Sequence, residues 1–485
     1  MNHSFSLAHL HGLGSCLGSI ALSSCSLVID EDPSHCLNNA EIMCPAESGS
    51  TSPGETGTTS TTATSTTGAD ASTTTSTAET TGVDSTTGAS VECEGEGGYD
   101  ADCPFDAPFC VEGTCTKCSQ DGGQPNSCSV RAGGLVCLGS GECVECLGGT
   151  NADACGASTP ICSSENECVA CTSHDQCPGG AGCDLFAGTC LPPDAVFETD
   201  AAGIGASLNT IGPGGRGTIR VMDESYIGPG LNMPAGSVIA IIGFADDTSF
   251  VVNDGFPAFT INGGTTLYLE RFAVSRVGAN AFGINSQGDV WLDDSTVENF
   301  TRGINSTGGR VHLENTRMIQ NSGAGVYSTG NQDITLLNVI LAGNGTDSGL
   351  SNGFVATGSP MLEMVYVTIA QNTGDSSGAI DAPTATGTIR NSIIVSSNLS
   401  ASISANEDLD ITYSAVADDD FLGGEGVMPI ASYGALMLDA NWEIGAGSSA
   451  ANIALRVEGD PSTDINGVAR PNVGENDFAG ADLPD

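Results

Sequence analysis

The stretch Gly309–Gly330, GRVHLENTRMIQNSGAGVYSTG, decides the fold. Val311 and Leu313 flank His312, the period-two alternation of a strand with one buried face. Met318 follows five residues after Leu313, and Gly325 breaks the segment. Its apolar residues do not fall at helical spacing, and no two-residue turn joins it to a partner strand. A lone strand of this kind leaves its backbone groups without partners, so it requires neighbours like itself.

Those neighbours lie on either side in the sequence. Leu269, Leu292, Leu313, Leu336, Met364 and Ile389 hold one place in successive units, at spacings of 23, 21, 23, 28 and 25 residues. Five residues after each stands Val274, Val297, Met318, Leu341, Ile369 or Ile394. A glycine closes most units, at Gly283, Gly303, Gly325, Gly353 and Gly378. Self-similarity at this period means a solenoid. Helical repeats run longer and need a 3.6-residue period, and the frame of a leucine-rich repeat is absent. Short strands with polar turns instead describe one coil of a parallel β-helix, stacked about 4.8 Å from the next. Two residues past each anchor lies Arg271, Asp294, Asn315, Asn338, Tyr366 or Asn391, an asparagine-rich corner suited to left-handed backbone. Phe272, Ser295, Thr316, Val339, Val367 and Ser392 follow as the next column. Gly217–Gly243 reads as entry coils, and coils continue through Leu409–Tyr413.

Residues 200–480 thus resemble the right-handed parallel β-helix, pectin-lyase-like superfamily. The tail Asp464–Asp482, DINGVARPNVGENDFAGAD, resembles the closing motif of bacterial choice-of-anchor Q domain proteins, matched by Asp464, Gly467, Arg470, Pro471, Asp477 and Ala481. Asn466 stands where aspartate is usual, and Phe478-Ala479-Gly480 departs from the usual Ile-Gly-Ala run. The resemblance implies a secreted or surface protein with no settled activity. Asp464-Ile465-Asn466-Gly467, with Glu475 at the twelfth position, also has the outline of a calcium loop, but Pro471 and Gly474 intervene, and a structural cap is the expectation.

Composition sets limits on partners. The 485 residues carry 59 acidic and 12 basic side chains, a net charge of −47, and Lys117 is the sole lysine. Phosphate recognition needs basic patches, which excludes nucleic acid as a partner. The same charge attracts cations, Ca2+ among them, and Asp246-Asp247 and Asp418-Asp419-Asp420 are acidic runs, more often plain solvated turns than ion sites. No cofactor is expected.

Residues 1–25 read as a signal peptide ending in Leu22-Ser23-Ser24-Cys25, which resembles a lipobox with Cys25 as the lipidated residue. The n-region lacks Lys and Arg. An acylated Cys25 would hold the chain at the outer membrane or extracellular surface. Residues 26–92, rich in Ser, Thr and Gly and holding Cys36 and Cys44, form an expected flexible stalk.

Residues 93–191 hold 16 of the 20 cysteines in four units that begin at Cys93, Cys118, Cys146 and Cys171. Thiolate zinc sites and disulfides compete for such C-x-x-C junctions. Export and the small polar units favour two disulfides per unit, whose connectivity is open among three pairings. The units resemble Cys-rich repeats of secreted bacterial surface proteins. Residues 195–485 are then the β-helix with its C-terminal cap. The whole is expected to be all-β: a β-helix solenoid after disulfide-rich modules and a disordered stalk.

Alternation places Tyr268, Trp291 and His312 in one outward column, with Glu270, Asp293 and Glu314 beside it and Asp289 and Arg310 on the other side. Aromatic rings next to carboxylates suit a polysaccharide or cell-surface glycan, although outward ladders also pack under loops. The expected function is an exported, lipid-anchored surface protein whose β-helix acts in adhesion, glycan binding or structural display. The alternative is a polysaccharide lyase or glycoside hydrolase. Asp293, Asp294 and Glu314 are the carboxylates for it, and Arg310, with Arg271, Arg302 and Arg317, the basic candidates. With His312 as its one histidine, the β domain offers no multi-histidine metal site.

Overall fold

The computed structural model describes residues 98–99 and, with short gaps, 103–484. The signal segment with Cys25, the stalk, Cys36, Cys44, Cys93, Gly378 and the acidic runs at 246–247 and 418–420 lie outside the described residues.

From Val196 the chain winds as a parallel β-helix with three strand faces; the first and second sheets run together as one 18-stranded sheet, and the third has 8 strands. In the first sheet Ile219, Ile241, Leu269, Leu292, Leu313, Leu336, Met364, Ile389 and Ile411 are paired rung by rung. In the second, Phe250, Val274, Val297, Met318, Leu341, Ile369, Ile394 and Val416 do the same. The third stacks Phe259, Ile284, Ile304, Val326, Phe354, Ile380 and Ile403. These columns are buried and form one continuous core. No single coil could enclose such a core, so each coil depends on the stack.

One residue makes the corner between the first and second sheets. Arg271, Asp294, Asn315, Asn338, Tyr366, Asn391 and Tyr413 all have positive φ, from 44° to 63°. Inside the next corner Asn321, Asn344 and Asn372 form a buried ladder, each Nδ2 of Asn321 and Asn344 donating 3.0 Å to the next Oδ1. The glycine column is steric in origin. A Cβ on Gly283, Gly303 or Gly325 would meet the carbonyl oxygen of the next glycine at 2.5–2.9 Å.

Both flanks carry elements that the repeat does not announce. Helix Ile204–Ile211, stopped by Gly212 at φ 67°, lays Ile204 and Leu208 over the first rung. The tail from Ile430 onward packs on a side of the solenoid. It lies along the outer side of the second sheet, against Ile340, Ala342, Ile393 and Val395, and over the corner at Val365 and Tyr366. Its centre is Arg470, fully buried with Asp477 at 3.1 Å and with its guanidinium 3.6 Å from the Tyr366 ring. Arg470 also donates to Asn338 Oδ1 and to the carbonyls of Gly480 and Ala481. Asp464 is equally occupied: Oδ1 accepts the amides of Asn466 and Val468, and Oδ2 that of Leu483. Its oxygens are turned to backbone amides.

The cysteine units follow one rule. The pairs are Cys118–Cys137 and Cys128–Cys143, Cys146–Cys162 and Cys155–Cys168, Cys171–Cys183 and Cys177–Cys190, with Cys103–Cys115 in the first unit. First pairs with third and second with fourth. The third and fourth cysteines face each other across a hairpin of two-residue strands, as Cys183 faces Cys190, so each ties one side of the hairpin to the incoming chain. The cysteine triads that could hold a metal are made of these bridged sulfurs.

Candidate functional site

The outward column forms in the expected register. Tyr268 pairs with Trp291, Trp291 with His312, His312 with Thr335, Thr335 with Glu363 and Glu363 with Thr388. Glu270, Asp293 and Glu314 form the parallel carboxylate column, and Asp289 pairs with Arg310 at 2.6 Å on the other side.

What the column faces differs from an open groove. The fourth cysteine unit lies across its upper end. Tyr268 is fully buried and donates a 2.5 Å hydrogen bond to Asp184 Oδ1, while the Phe186 amide donates to the Tyr268 hydroxyl at 3.1 Å. Burial, with the Asp184 carboxylate behind it, pushes the Tyr268 hydroxyl far above its usual pKa. Asp184 is itself paired with Arg216 at 2.9 Å. The Phe186 ring meets Trp291 edge-on at 5.1 Å and carries the Arg310 guanidinium on its face at 3.8 Å. Trp291 stacks on His312, with centroids 3.5 Å apart. Tyr268 therefore contacts the protein's own fourth unit and presents no face to a ligand in this arrangement. Trp291 and His312 are half-buried beside it.

The fit continues along the unit. Gly182 donates its amide to Thr218 Oγ1 at 2.7 Å, and a Cβ there would lie 2.8 Å from that of Ala240. Arg220 donates to the Gly180 carbonyl at 2.7 Å. Leu191 is buried with Ala240, Ile242 and Tyr268. His174 is buried and accepts the Cys183 amide on Nδ1, so its proton sits on Nε2, 3.9 Å from Glu270. Burial, aided by the Arg220 charge, lowers His174 to a pKa of about 4 and keeps it neutral. No sequence periodicity pointed to His174, Asp184 or Phe186. The signal was Tyr268 itself, a large ring on an outward position of a strand.

The carboxylates are the electrostatically unusual part. Burial pushes Asp293 up to about 8, and the neighbouring Asp294 and Glu314 charges add to the shift. Glu270 is raised by burial, opposed by Arg271, whose Nε lies 3.0 Å from it. A carboxyl that keeps its proton beside ionised carboxylates can donate a proton or a hydrogen bond. The basic candidates are engaged elsewhere. Arg310 is held by Asp289, which raises its pKa further, and so is a poor proton acceptor. Arg317 is paired with Glu443 at 3.0 Å, and Arg302 lies over the Tyr327 ring at 3.5 Å.

Residues 79–196 match a family described as "Family of unknown function (DUF8331)". That match spans the cysteine units and stops where the first β-helix strand, Val196–Thr199, begins. No curated protein matches the chain. Among solved structures, a chain described as "Crystal structure of pectate lyase Pel9A" is 12% identical and aligns over 60% of this chain and 96% of that one, with a TM-score of 0.30.

Proposed function

We propose that this chain is an exported, surface-tethered protein whose β-helix is a rigid display and adhesion element. The observation that supports it best is the seat of the fourth unit. Tyr268 and Trp291, the rings best suited to a sugar, serve as the joint that fixes the cysteine-rich array to the β-helix. The dense disulfides fit an oxidising compartment, and the tether would be an acylated Cys25. Among the described residues no helix is long and apolar enough to cross a membrane. Past the joint, the same column goes on through Glu363, Thr388 and Asp410, all exposed, as the open face for a cell-surface glycan.

Labelled palmitate should enter the wild-type chain and not Cys25→Ala, and protease added to intact cells should remove the β-helix. A chain that is unlabelled and protected from protease would sink this reading. A second reading, a glycoside hydrolase, is favoured by one observation: Asp293 retains its proton beside Glu314. Release of reducing ends by the wild type but not by Asp293→Asn would establish it.

A further inference from the structure

The fourth unit has little core of its own. Its buried apolar residues are Cys171, Cys177, Ala181 and Cys183, and its regular structure is the hairpin of Cys183–Asp184 with Thr189–Cys190 and two three-residue turns. Such a segment keeps its shape through its bridges. The groups that grip the first sheet, Asp184 and Phe186, lie between Cys183 and Cys190, and Gly182 and Leu191 lie just outside. Cys183 is tied to Cys171 and Cys190 to Cys177, so the two bridges set both ends of the gripping loop.

The face beneath is not fully satisfied. Among the described residues, Trp291 Nε1 is buried with no hydrogen-bond partner, and His312 Nε2 is buried with only the Glu314 carboxylate near it, at 3.6 Å and beyond hydrogen-bond reach. Each would gain one from water once uncovered, which favours opening. The closed joint thus sets good contacts at Tyr268 against an orphaned indole N–H one rung further on and a poorly partnered imidazole two rungs on.

We propose that the fourth unit is a redox-sensitive clasp on the first sheet. Cleavage of Cys171–Cys183 and Cys177–Cys190 by a dithiol reductant frees the Asp184–Leu191 loop and uncovers Tyr268 and Trp291. The β-helix has no cysteine after Cys190 and keeps its fold. In each cleavage a reductant thiolate attacks one sulfur and the reductant's second thiol resolves the mixed disulfide. The protein gains two thiols and the reductant becomes a disulfide, having supplied two electrons and two protons. The inference does not depend on any ligand for the exposed face.

Trp291 and Trp442 are the two tryptophans, so the full chain carrying Trp442→Phe reports on Trp291 alone. Dithiothreitol should raise acrylamide quenching of Trp291 several-fold and move its emission to the red, with the far-ultraviolet β signal retained. The oxidised double variant Asp184→Ala/Phe186→Ala should show the same rise. Cys177→Ser/Cys190→Ser, with one bridge left, should fall between. Unchanged quenching after peptide mapping shows all four cysteines reduced would overturn the clasp. So would loss of the β signal together with the rise, since the β-helix would then need the unit in order to fold.

Discussion

Asn344 shows how much a single side chain carries in this architecture. Its Oδ1 accepts the backbone amide and Nδ2 of Asn321, and its Nδ2 donates to Asn372 and to the Met318 carbonyl. Asn344→Ala orphans several buried groups at once and should cost roughly 2–4 kcal/mol, measured by denaturant unfolding. Asp293 gives the opposite sign. Its folded pKa, about 8, lies above that of an unfolded aspartate, so the folded state holds the extra proton between the two values. Stability from this group is present at low pH and falls as pH rises from about 4 to about 8. Asp293→Asn should therefore stabilise the chain by roughly 1–3 kcal/mol at pH 8 and leave it little changed at pH 4. Arg470→Ala, which strands Asp477 in the interior, should cost about 3–5 kcal/mol. Of these residues the corner column was legible from its asparagines, and even Tyr366 and Tyr413 obey it. The left-handed cost of Tyr366 is offset by its burial under Arg470. The environment of Asp293 was not legible, because it depends on how Glu270, Glu314 and Asn315 on the rungs above and below close around it.

At the level of elements, the rungs were readable because every strand repeats one rule, and the coverings were not because each occurs once. The clue to them was local all the same. Strands Asp333–Ala342 and Met361–Asn372 become apolar on both faces past the corner, where Ile340, Ala342 and Ala370 point away from the core. A strand that is apolar on both faces is covered on both. The tail supplies that cover, through Trp442, Ile444, Ile453 and Ala479. A chain ending at Pro429 should consequently bind 8-anilinonaphthalene-1-sulfonate and aggregate, while its first-sheet rungs still give a β spectrum. The cysteine units illustrate the reverse case. Their boundaries and disulfide chemistry follow from spacing, but four cysteines per unit left three pairings open, and hairpin geometry selects one.

Over the whole molecule, 59 acidic side chains against 12 basic ones repel each other more strongly in the compact state than in the unfolded chain. Raising sodium chloride from low to about 0.5 M should lift the thermal midpoint by several degrees, since screening shortens the reach of that repulsion. A falling midpoint would mean that ion pairs such as Arg216–Asp184 and Arg317–Glu443 outweigh the net field. The corner residues have one more effect. Because a single left-handed residue joins the first sheet to the second, the segment from Leu313 to Met318 has the same length as those from Leu336 to Leu341 and Met364 to Ile369. Variation in coil length is pushed to the far side, where Met318 leads quickly to Val326 but Leu341 takes a longer path to Phe354. That far corner works as an insertion port. New chain can enter there without disturbing the stack, so a scaffold of this kind can gain or lose surface loops along one edge while its other two faces stay in register.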